Sequence, residues 1–198
     1  SVFDDFEILE NEKFINDMKY SYIGLRGANE HSSSLEIKDL NILSEEFFDS
    51  IKVCKSRGLI SRLVESLTTL ESDPNFRRER FVELIVRDDL PASQLVIITA
   101  FRRLSSGHKI ILLTITKLVE KLQEKSLLLM DEPEAHLHPP LLSAFIRAVS
   151  DLLIKTNGVA IISTHSPVIL QEVPKSCVWK IRRSGSVTVA DRLRRESF

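Results

Sequence analysis

Residues Leu127–Glu132 read LLLMDE, and this segment says more about the fold than any other. A continuous apolar run of this length predicts a strand that is buried on both faces of a sheet. The two carboxylates that end it, Asp131 and Glu132, then stand at the carboxyl edge of the sheet, where α/β proteins bind ligands. Taken alone, Asp-Glu-Pro also fits the start of an ordinary loop, so a catalytic function needs support from other segments.

A second apolar strand is predicted at Val159–Ser163 (VAIIS), and Thr164 and His165 follow it. Between the two strands the pattern predicts a helix that begins at Pro139 or Pro140 and stops at Asn157-Gly158. A strand–helix–strand order predicts parallel strands, whose ends lie at the same edge. We therefore expect His165 to face the carboxylates, although a lone histidine is more often a capping or core residue.

Leu104–His108 (LSSGH) comes before a helix whose predicted inner face carries Ile111, Ile115, Leu118 and Leu122. Hydroxyls and backbone N–H groups at a helix start, together with the positive end of the helix dipole, suit a phosphate group. Ser-Ser-Gly is also a common helix cap. Its position ahead of LLLMDE favours the phosphate-binding interpretation.

The rest of the chain is less specific. Tyr20–Arg26 is predicted to be a strand and Gly27–Ser34 a polar loop, and a helical zone runs from Ser44 to Asp89. Cys177–Ile181 is predicted to be a further buried strand, with Trp179 in the core. We divide the chain into the N-terminal strands of the main domain (1–43), a helical insert (44–100) and a core that carries the motifs (101–198).

Composition sets the broad class. The 198 residues are 43% hydrophobic and 28% charged, and 27 Lys+Arg against 28 Asp+Glu give a formal charge of −1. No global attraction to nucleic acid or membrane is expected. The two cysteines have no partners at zinc spacing, which argues against a disulfide or structural metal and favours the cytoplasm. Two basic clusters fit a solvated surface better than a nucleic-acid interface: Arg77, Arg78 and Arg80 on one predicted helix, and Lys180, Arg182, Arg183, Arg192, Arg194 and Arg195.

In this order the motifs resemble those of the ATP-binding-cassette (ABC) and SMC-like ATPase superfamily, with an α/β, P-loop NTPase-like head that has a mainly parallel sheet and contains an inserted helical lobe. LSSGH resembles the signature motif, LLLMDEPE the Walker B motif, AHLHP (Ala135–Pro139) the D-loop and STHSP (Ser163–Pro167) the switch-histidine loop. The resemblance implies ATP and Mg²⁺ as cofactors. Asp131 would hold the metal, Glu132 would be the general base and His165 would contact the γ-phosphate. Leu104, Ser105, Ser106, Gly107 and His108, with His136 and His138 of the D-loop, would meet nucleotide held by a second protomer.

Two features depart from the superfamily pattern. Ser106 replaces a glycine of the signature and His108 replaces its glutamine, which alters the expected phosphate contacts. No G-x-x-x-x-G-K-[ST] loop occurs in the sequence, and the nearest glycines, Gly24 and Gly27, have no lysine after them. We expect that loop to lie upstream of Ser1, because Asp131, Glu132 and His165 make sense only with a bound phosphate. A non-hydrolysing assembly scaffold is the alternative.

A narrower resemblance covers most of the chain. SVFDDF, YSYIGLR, RLSSGH and STHSPVILQEVP are similar to segments of the bacterial antiviral-defence ATPases of the Septu (PtuA) type and of retron systems. That resemblance implies a homodimer or larger oligomer, an HNH-type nuclease partner under ATPase control, and a possible complex with nucleic acid or with reverse transcriptase and msDNA. No membrane partner is implied. A RecF-like or SMC-like DNA repair or maintenance ATPase is the rival, although the sequence has no heptad stretch long enough for a coiled-coil arm.

Overall fold

The computed structural model describes residues 12–15, 18–21, 23, 26–29, 32–87, 89–135 and 137–192. The strands are β1 (Glu12–Ile15), β2 (Met18–Ser21), β3 (Arg26–Asn29), β4 (Ser32–Ile37), β5 (Leu127–Asp131), β6 (Val159–Ser163), β7 (Trp179–Ser184) and β8 (Val187–Arg192). The α-helices are α1 (Leu40–Ser56), α2 (Ile60–Leu70), α3 (Pro74–Glu79), α4 (Phe81–Val86), α5 (Leu90–Arg103), α6 (Ser106–Lys121), α7 (Pro139–Lys155) and α8 (Pro167–Glu172), and a short 3₁₀ helix spans Lys175–Cys177.

Helices α1 to α7 surround one apolar core. Phe47 of α1 is fully buried at its centre, where its ring stacks on Phe101 with centroids 4.9 Å apart and meets Phe81 edge-on at 5.8 Å. Such aromatic pairs add about 0.5–1.5 kcal/mol to the stabilisation from burial. The predicted inner face of α6 is confirmed, because Ile111, Ile115 and Leu118 are buried and Leu122 packs against the core.

Polar side chains begin six of the eight described α-helices. The N-cap residues are Asp39, Asp73, Asp89, Ser105, His138 and Ser166, and each accepts a hydrogen bond from a backbone N–H in the first turn of its helix. A cap of this kind contributes about 1 kcal/mol. Three of these residues (Asp73, Ser105 and His138) are also polar members of the site described below, so the helix starts fix their positions.

The β5–α7–β6 unit has the predicted arrangement, but a mainly parallel sheet is not found among the described strands, since the other three strand pairs are antiparallel. Strands β5 and β6 pair in parallel with Asp131 opposite Ser163, so both strands end at one edge. Helix α7 begins at Pro139, and Leu142, Phe145 and Val149 on one side of it are buried. The chain leaves α7 through Asn157, whose φ of 48° lies in the left-handed region, and Gly158, whose N–H donates to the carbonyl of Leu153.

The prediction that β5 is buried on both faces is wrong for the described part of the chain. Leu128, Met130 and Ile162 face the core, but Leu127 and Leu129 are 59% and 68% exposed, and Val159 and Ile161 of β6 are exposed as well. Burial alternates along each strand, because the helices cover one face of this two-stranded sheet. A continuous apolar run cannot tell one-sided from two-sided burial.

Other predictions also need correction. Tyr20–Arg26 is not one strand: β2 ends at Ser21 and β3 begins at Arg26, while Tyr22, Gly24 and Leu25 lie outside the described residues. Much of Gly27–Ser34 belongs to an antiparallel hairpin of β3 and β4, not to a polar loop. β-Branched and aromatic residues favour strands but do not fix their ends.

The C-terminal strand prediction is also partly wrong. Cys177 ends the 3₁₀ helix, and β7 pairs antiparallel with β8 in an exposed hairpin. Trp179 is 57% exposed, so it is not a core residue in the described part of the chain. Arg80 likewise separates α3 from α4 with a φ of 53°, and it does not share a helix with Arg77 and Arg78.

Among the residues that the structure describes, no helix has both the length and the apolar character needed to cross a bilayer. The predicted helical zone from Ser44 to Asp89 is helical apart from its turns, and the helices extend beyond it on both sides, from Leu40 to Arg103. The division of the chain at residues 43 and 100 stays a prediction.

Candidate functional site

The carboxyl edge of β5 and β6 brings the predicted catalytic side chains together. Beyond the last strand pair the N–H of Glu132 donates to the carbonyl of Ser163 at 2.9 Å, so the two strand ends stay in register. Nε2 of His165 lies 3.4 Å from Oε1 of Glu132. Residues 33 positions apart in sequence therefore face each other, because parallel strands end at the same edge.

Glu132 has an unusual backbone. Its φ is 44°, in the left-handed region, which costs a non-glycine residue about 1–2 kcal/mol. A tight turn follows, in which the N–H of Ala135 donates to the carbonyl of Glu132 at 3.1 Å. Such strained residues are found preferentially at functional sites. The extended strand therefore ends at Asp131, and the chain changes direction at Glu132.

Glu134 is part of this edge, although sequence reasoning did not select it. Its Oε1 accepts a hydrogen bond from the Thr164 hydroxyl and another from the His165 N–H, both at 2.8 Å. Burial opposes its ionisation, but N–H groups of its own backbone, of His165 and of Ser166, together with the Thr164 hydroxyl, hold the pKa of Glu134 below its ordinary value. The carboxylate therefore ties the loop after β5 to the loop after β6. A second acid two positions after Glu132 was the available signal.

The edge is open to solvent and rich in oxygen ligands. The side chains of His165 and Glu132 are 87% and 56% exposed, and Asp131 is exposed at the end of β5. Oε2 of Glu134 is buried without a hydrogen-bond partner among the described residues. Carboxylate oxygens are the ligands that Mg²⁺ takes in phosphate-transfer sites, so Asp131 fits that ion. In such sites the ion neutralises charge on the phosphates.

The LSSGH segment forms a second polar group at the start of α6. Oγ of Ser105 lies 2.6 Å from Nδ1 of His108, and it caps the helix by accepting from the His108 N–H at 3.5 Å. The other ring nitrogen, Nε2, lies 3.0 Å from Oδ1 of Asp73, and the ring is 3% exposed. The His108 ring therefore points into the protein, and its hydrogen bond to Ser105 fixes the position of the Ser105 side chain.

The remaining predicted site residues lie in different environments, some buried and some exposed. Leu104 is 5% exposed and belongs to the core, whereas Ser106 lies at the exposed start of α6 and Gly107 is buried. His138 caps α7, and its Nε2 lies 3.6 Å from Oδ2 of Asp73. His136 lies outside the described residues. Contact of any of these residues with nucleotide stays a prediction, and the inward position of Leu104 and His108 argues against contact through their side chains.

A family model matches residues 31–171, which is more than half of the chain; the family is described as an AAA domain, putative AbiEii toxin, of a type IV toxin–antitoxin system. The matched region contains LSSGH, LLLMDE and STHSP. With the β5–α7–β6 unit, this match supports an α/β fold of the P-loop NTPase type and an ATPase domain.

The chain is also similar to the protein ea59 of Escherichia phage lambda. The two are 46% identical over 183 residues, an alignment that covers 84% of this chain and 34% of the phage protein. The chain thus spans about a third of the length of this curated relative. No solved structure matches it significantly. The extent of the family match and the geometry of the strand edge lead to one conclusion: the chain belongs to the AAA-domain, putative AbiEii toxin family of the P-loop ATPase superfamily.

Proposed function

We propose that this chain is part of an ABC-type ATPase that binds and hydrolyses ATP with Mg²⁺ at an interface between two copies. One observation carries the proposal, namely the register that puts Asp131 and Glu132 beside the loop of His165. A capping histidine would be covered and bonded, whereas His165 is almost fully exposed beside a carboxylate.

The residues at the carboxyl edge of β5 and β6 would have different roles in catalysis. Asp131 would hold Mg²⁺, and Glu132 would accept a proton from the attacking water. A general base of this kind contributes roughly 10²–10⁴-fold to turnover. The exposed imidazole of His165 would donate to the γ-phosphate, where charge develops in the transition state. Glu134 would act as a positioning residue, because it fixes the backbone N–H of His165.

The LSSGH segment would serve the nucleotide of the second copy. Ser105 and Ser106 stand at the N-terminus of α6, a helix of 16 residues, where free N–H groups and the helix dipole favour an anion. His108 stands where the signature motif has glutamine. Because its ring points inwards and supports Ser105, it would not take part in contact with the nucleotide.

We further propose that ATP controls an effector, such as an HNH-type nuclease, in antiviral defence. The family description, which includes a putative toxin, and a phage-encoded relative support a role in conflict between phage and host. A RecF-like or SMC-like maintenance ATPase is the alternative. A scaffold that binds ATP without hydrolysis is a second alternative, because the sequence contains no phosphate-binding loop motif.

The test is ATP turnover by the full-length gene product, purified alone and with the product of its neighbouring gene. Glu132→Gln should retain ATP binding and lose turnover by roughly 10²–10⁴-fold. Glu45→Gln, an exposed change on α1 that alters the charge equally, is the matched control and should retain full turnover. Turnover of Glu132→Gln within a few-fold of wild type would exclude Glu132 as the base. If nuclease activity of the purified pair is the same with and without ATP, control of an effector by ATP is contradicted.

A further inference from the structure

Three potential metal ligands from distant parts of the sequence meet at one point. Asp73 caps α3, His108 lies in the first turn of α6 and His138 caps α7. One ligand atom from each lies within 4.8 Å of the other two. Asp73 and His108 are buried, while the His138 side chain is 48% exposed.

The spacing of these atoms suits a small tetrahedral ion. Nε2 of His108 lies 3.0 Å from Oδ1 of Asp73, and Nε2 of His138 lies 3.6 Å from Oδ2. Around Zn²⁺, with bonds of about 2.0–2.1 Å, neighbouring ligand atoms are roughly 3.3–3.4 Å apart. The two histidines contact different oxygens of Asp73, and the ligand atoms of the three residues lie within 4.8 Å of one another, so the side chains must move closer by at most about 1.4 Å (4.8 − 3.4) to reach that spacing.

The surroundings of the three side chains resemble those of a metal site. Nδ1 of His108 lies 2.6 Å from the Ser105 hydroxyl, and a partner of this kind fixes the ring of a metal-binding histidine. Oδ1 of Asp73 also accepts a hydrogen bond from the Asn75 N–H at 2.8 Å, which fixes the position of the carboxylate.

We propose that Asp73, His108 and His138 bind one divalent transition-metal ion of the zinc class. The open fourth position would lie on the exposed side of His138 and would hold water. Two histidines, one carboxylate and a water form a ligand set that zinc adopts in proteins. The proposal does not depend on ATP binding.

Binding would replace the direct contact between His108 Nε2 and Asp73 Oδ1, at 3.0 Å, and would change two longer hydrogen bonds. The Leu141 N–H donates to Nδ1 of His138 at 3.4 Å, a long bond that is lost when Nε2 binds metal, since Nδ1 then carries the proton. The Asn75 amide nitrogen, 3.3 Å from Nε2 of His108, would turn away.

The ion would also decide which way the Ser105 proton points. With metal on Nε2, His108 keeps its proton on Nδ1 and donates it to Oγ of Ser105. The Ser105 hydroxyl proton is then free for an acceptor outside the helix. If the proposed function is correct, that acceptor is a phosphate oxygen, and the ion primes the LSSGH segment for nucleotide.

The test is uptake of Zn²⁺ alone, and of Co²⁺ as a spectroscopic probe, by the full-length protein after removal of metal with a chelator. Asp73→Asn and His138→Ser remove ligands yet leave residues that cap helices well, so both variants should fold. We expect one ion per chain in the wild type and at least roughly 100-fold weaker binding in both variants, since loss of an outer partner alone costs 10–100-fold. Ser105→Ala should fall within that smaller range.

His165→Ala is the matched control, because it removes an exposed histidine outside the cluster and should leave the cluster's stoichiometry and Co²⁺ spectrum unchanged. The proposal is overturned if the wild type takes up no stoichiometric ion. It is equally overturned if Asp73→Asn and His138→Ser bind Zn²⁺ as tightly as wild type does. Failure of metal binding with intact ATP turnover would leave the proposed function standing.

Discussion

Removal of the Glu134 carboxylate should weaken catalysis without a change in any group that touches nucleotide. Its Oε1 accepts from the Thr164 hydroxyl and the His165 N–H. Each hydrogen bond to a charged acceptor contributes about 1.5–3 kcal/mol, and the lower value applies here because His165 is solvated. The two hydrogen bonds together contribute about 3 kcal/mol to holding His165 in position. If Glu134→Ala loses between half and all of this energy in the transition state, kcat falls roughly 10- to 100-fold.

Glu134→Gln keeps an acceptor oxygen and loses the charge, so its kcat should fall less, by roughly 5- to 10-fold, since neutral hydrogen bonds have about half the strength. KM for ATP should change little in both variants. The assay is steady-state ATP hydrolysis, with Glu172→Gln as control. That residue is a carboxylate at the end of α8 that forms an ion pair with Arg147 of α7. The reasoning is refuted if both Glu134 variants retain kcat within twofold of wild type.

The same carboxylate predicts a pH effect on stability. Its pKa in the folded protein is lowered from the ordinary value of 4.5, so the stability that it contributes is complete above pH 4.5 and is lost as the pH falls through the lower folded pKa. Glu134→Gln should therefore unfold with a flatter pH dependence below 4.5 than the wild type. The free energy of unfolding of each protein can be measured by urea titration at several pH values. If it falls equally steeply with pH in the two proteins, the assignment is contradicted.

Three further predictions concern other parts of the chain. A Cβ at Gly158 would lie 2.9 Å from Leu153 Cδ2 and 3.1 Å from the Ser126 carbonyl, so Gly158→Ala should lower the free energy of unfolding by about 1–3 kcal/mol, and an unchanged urea midpoint would contradict this. Burial raises the pKa of Cys54 to about 11, so alkylation of the native protein at pH 8 should label the exposed Cys177 and spare Cys54, as mass spectrometry of peptides can show. Ser106→Asp puts an acid in the first turn of α6, which should raise stability by roughly 0.3–1 kcal/mol while it weakens ATP-dependent association; stronger association would contradict the phosphate role of that helix end.

The elements near the motifs could be predicted from sequence, since their signals are local. Apolar runs, the prolines that open α7 and the glycine after it identify β5, α7 and β6, and the parallel rule then places His165 near Glu132. The 3.4 Å separation of those two side chains follows from topology, which sequence order supplies in a βαβ unit.

What the sequence did not reveal depends on contacts between distant segments. Asp73, His108 and His138 come from three helix starts, so no metal-ligand spacing exists along the chain. The inward turn of His108 likewise depends on the Asp73 carboxylate, 35 positions earlier. Apolar strands also look alike whether one face or both are covered, which is why the exposure of Leu129 and Ile161 was missed.

In the proposed function, each ATP site combines the β5–β6 edge of one copy with the LSSGH segment of another. Mixed subunits give a direct test of this composite site. Glu132→Gln destroys the edge and Ser106→Asp the signature segment, so each variant alone should be inactive as a symmetric dimer. In a 1:1 mixture half of the dimers are hybrids with one intact composite site, and up to about a quarter of wild-type ATP turnover should return. Turnover of the mixture that never exceeds the sum of the separate variants would contradict the account.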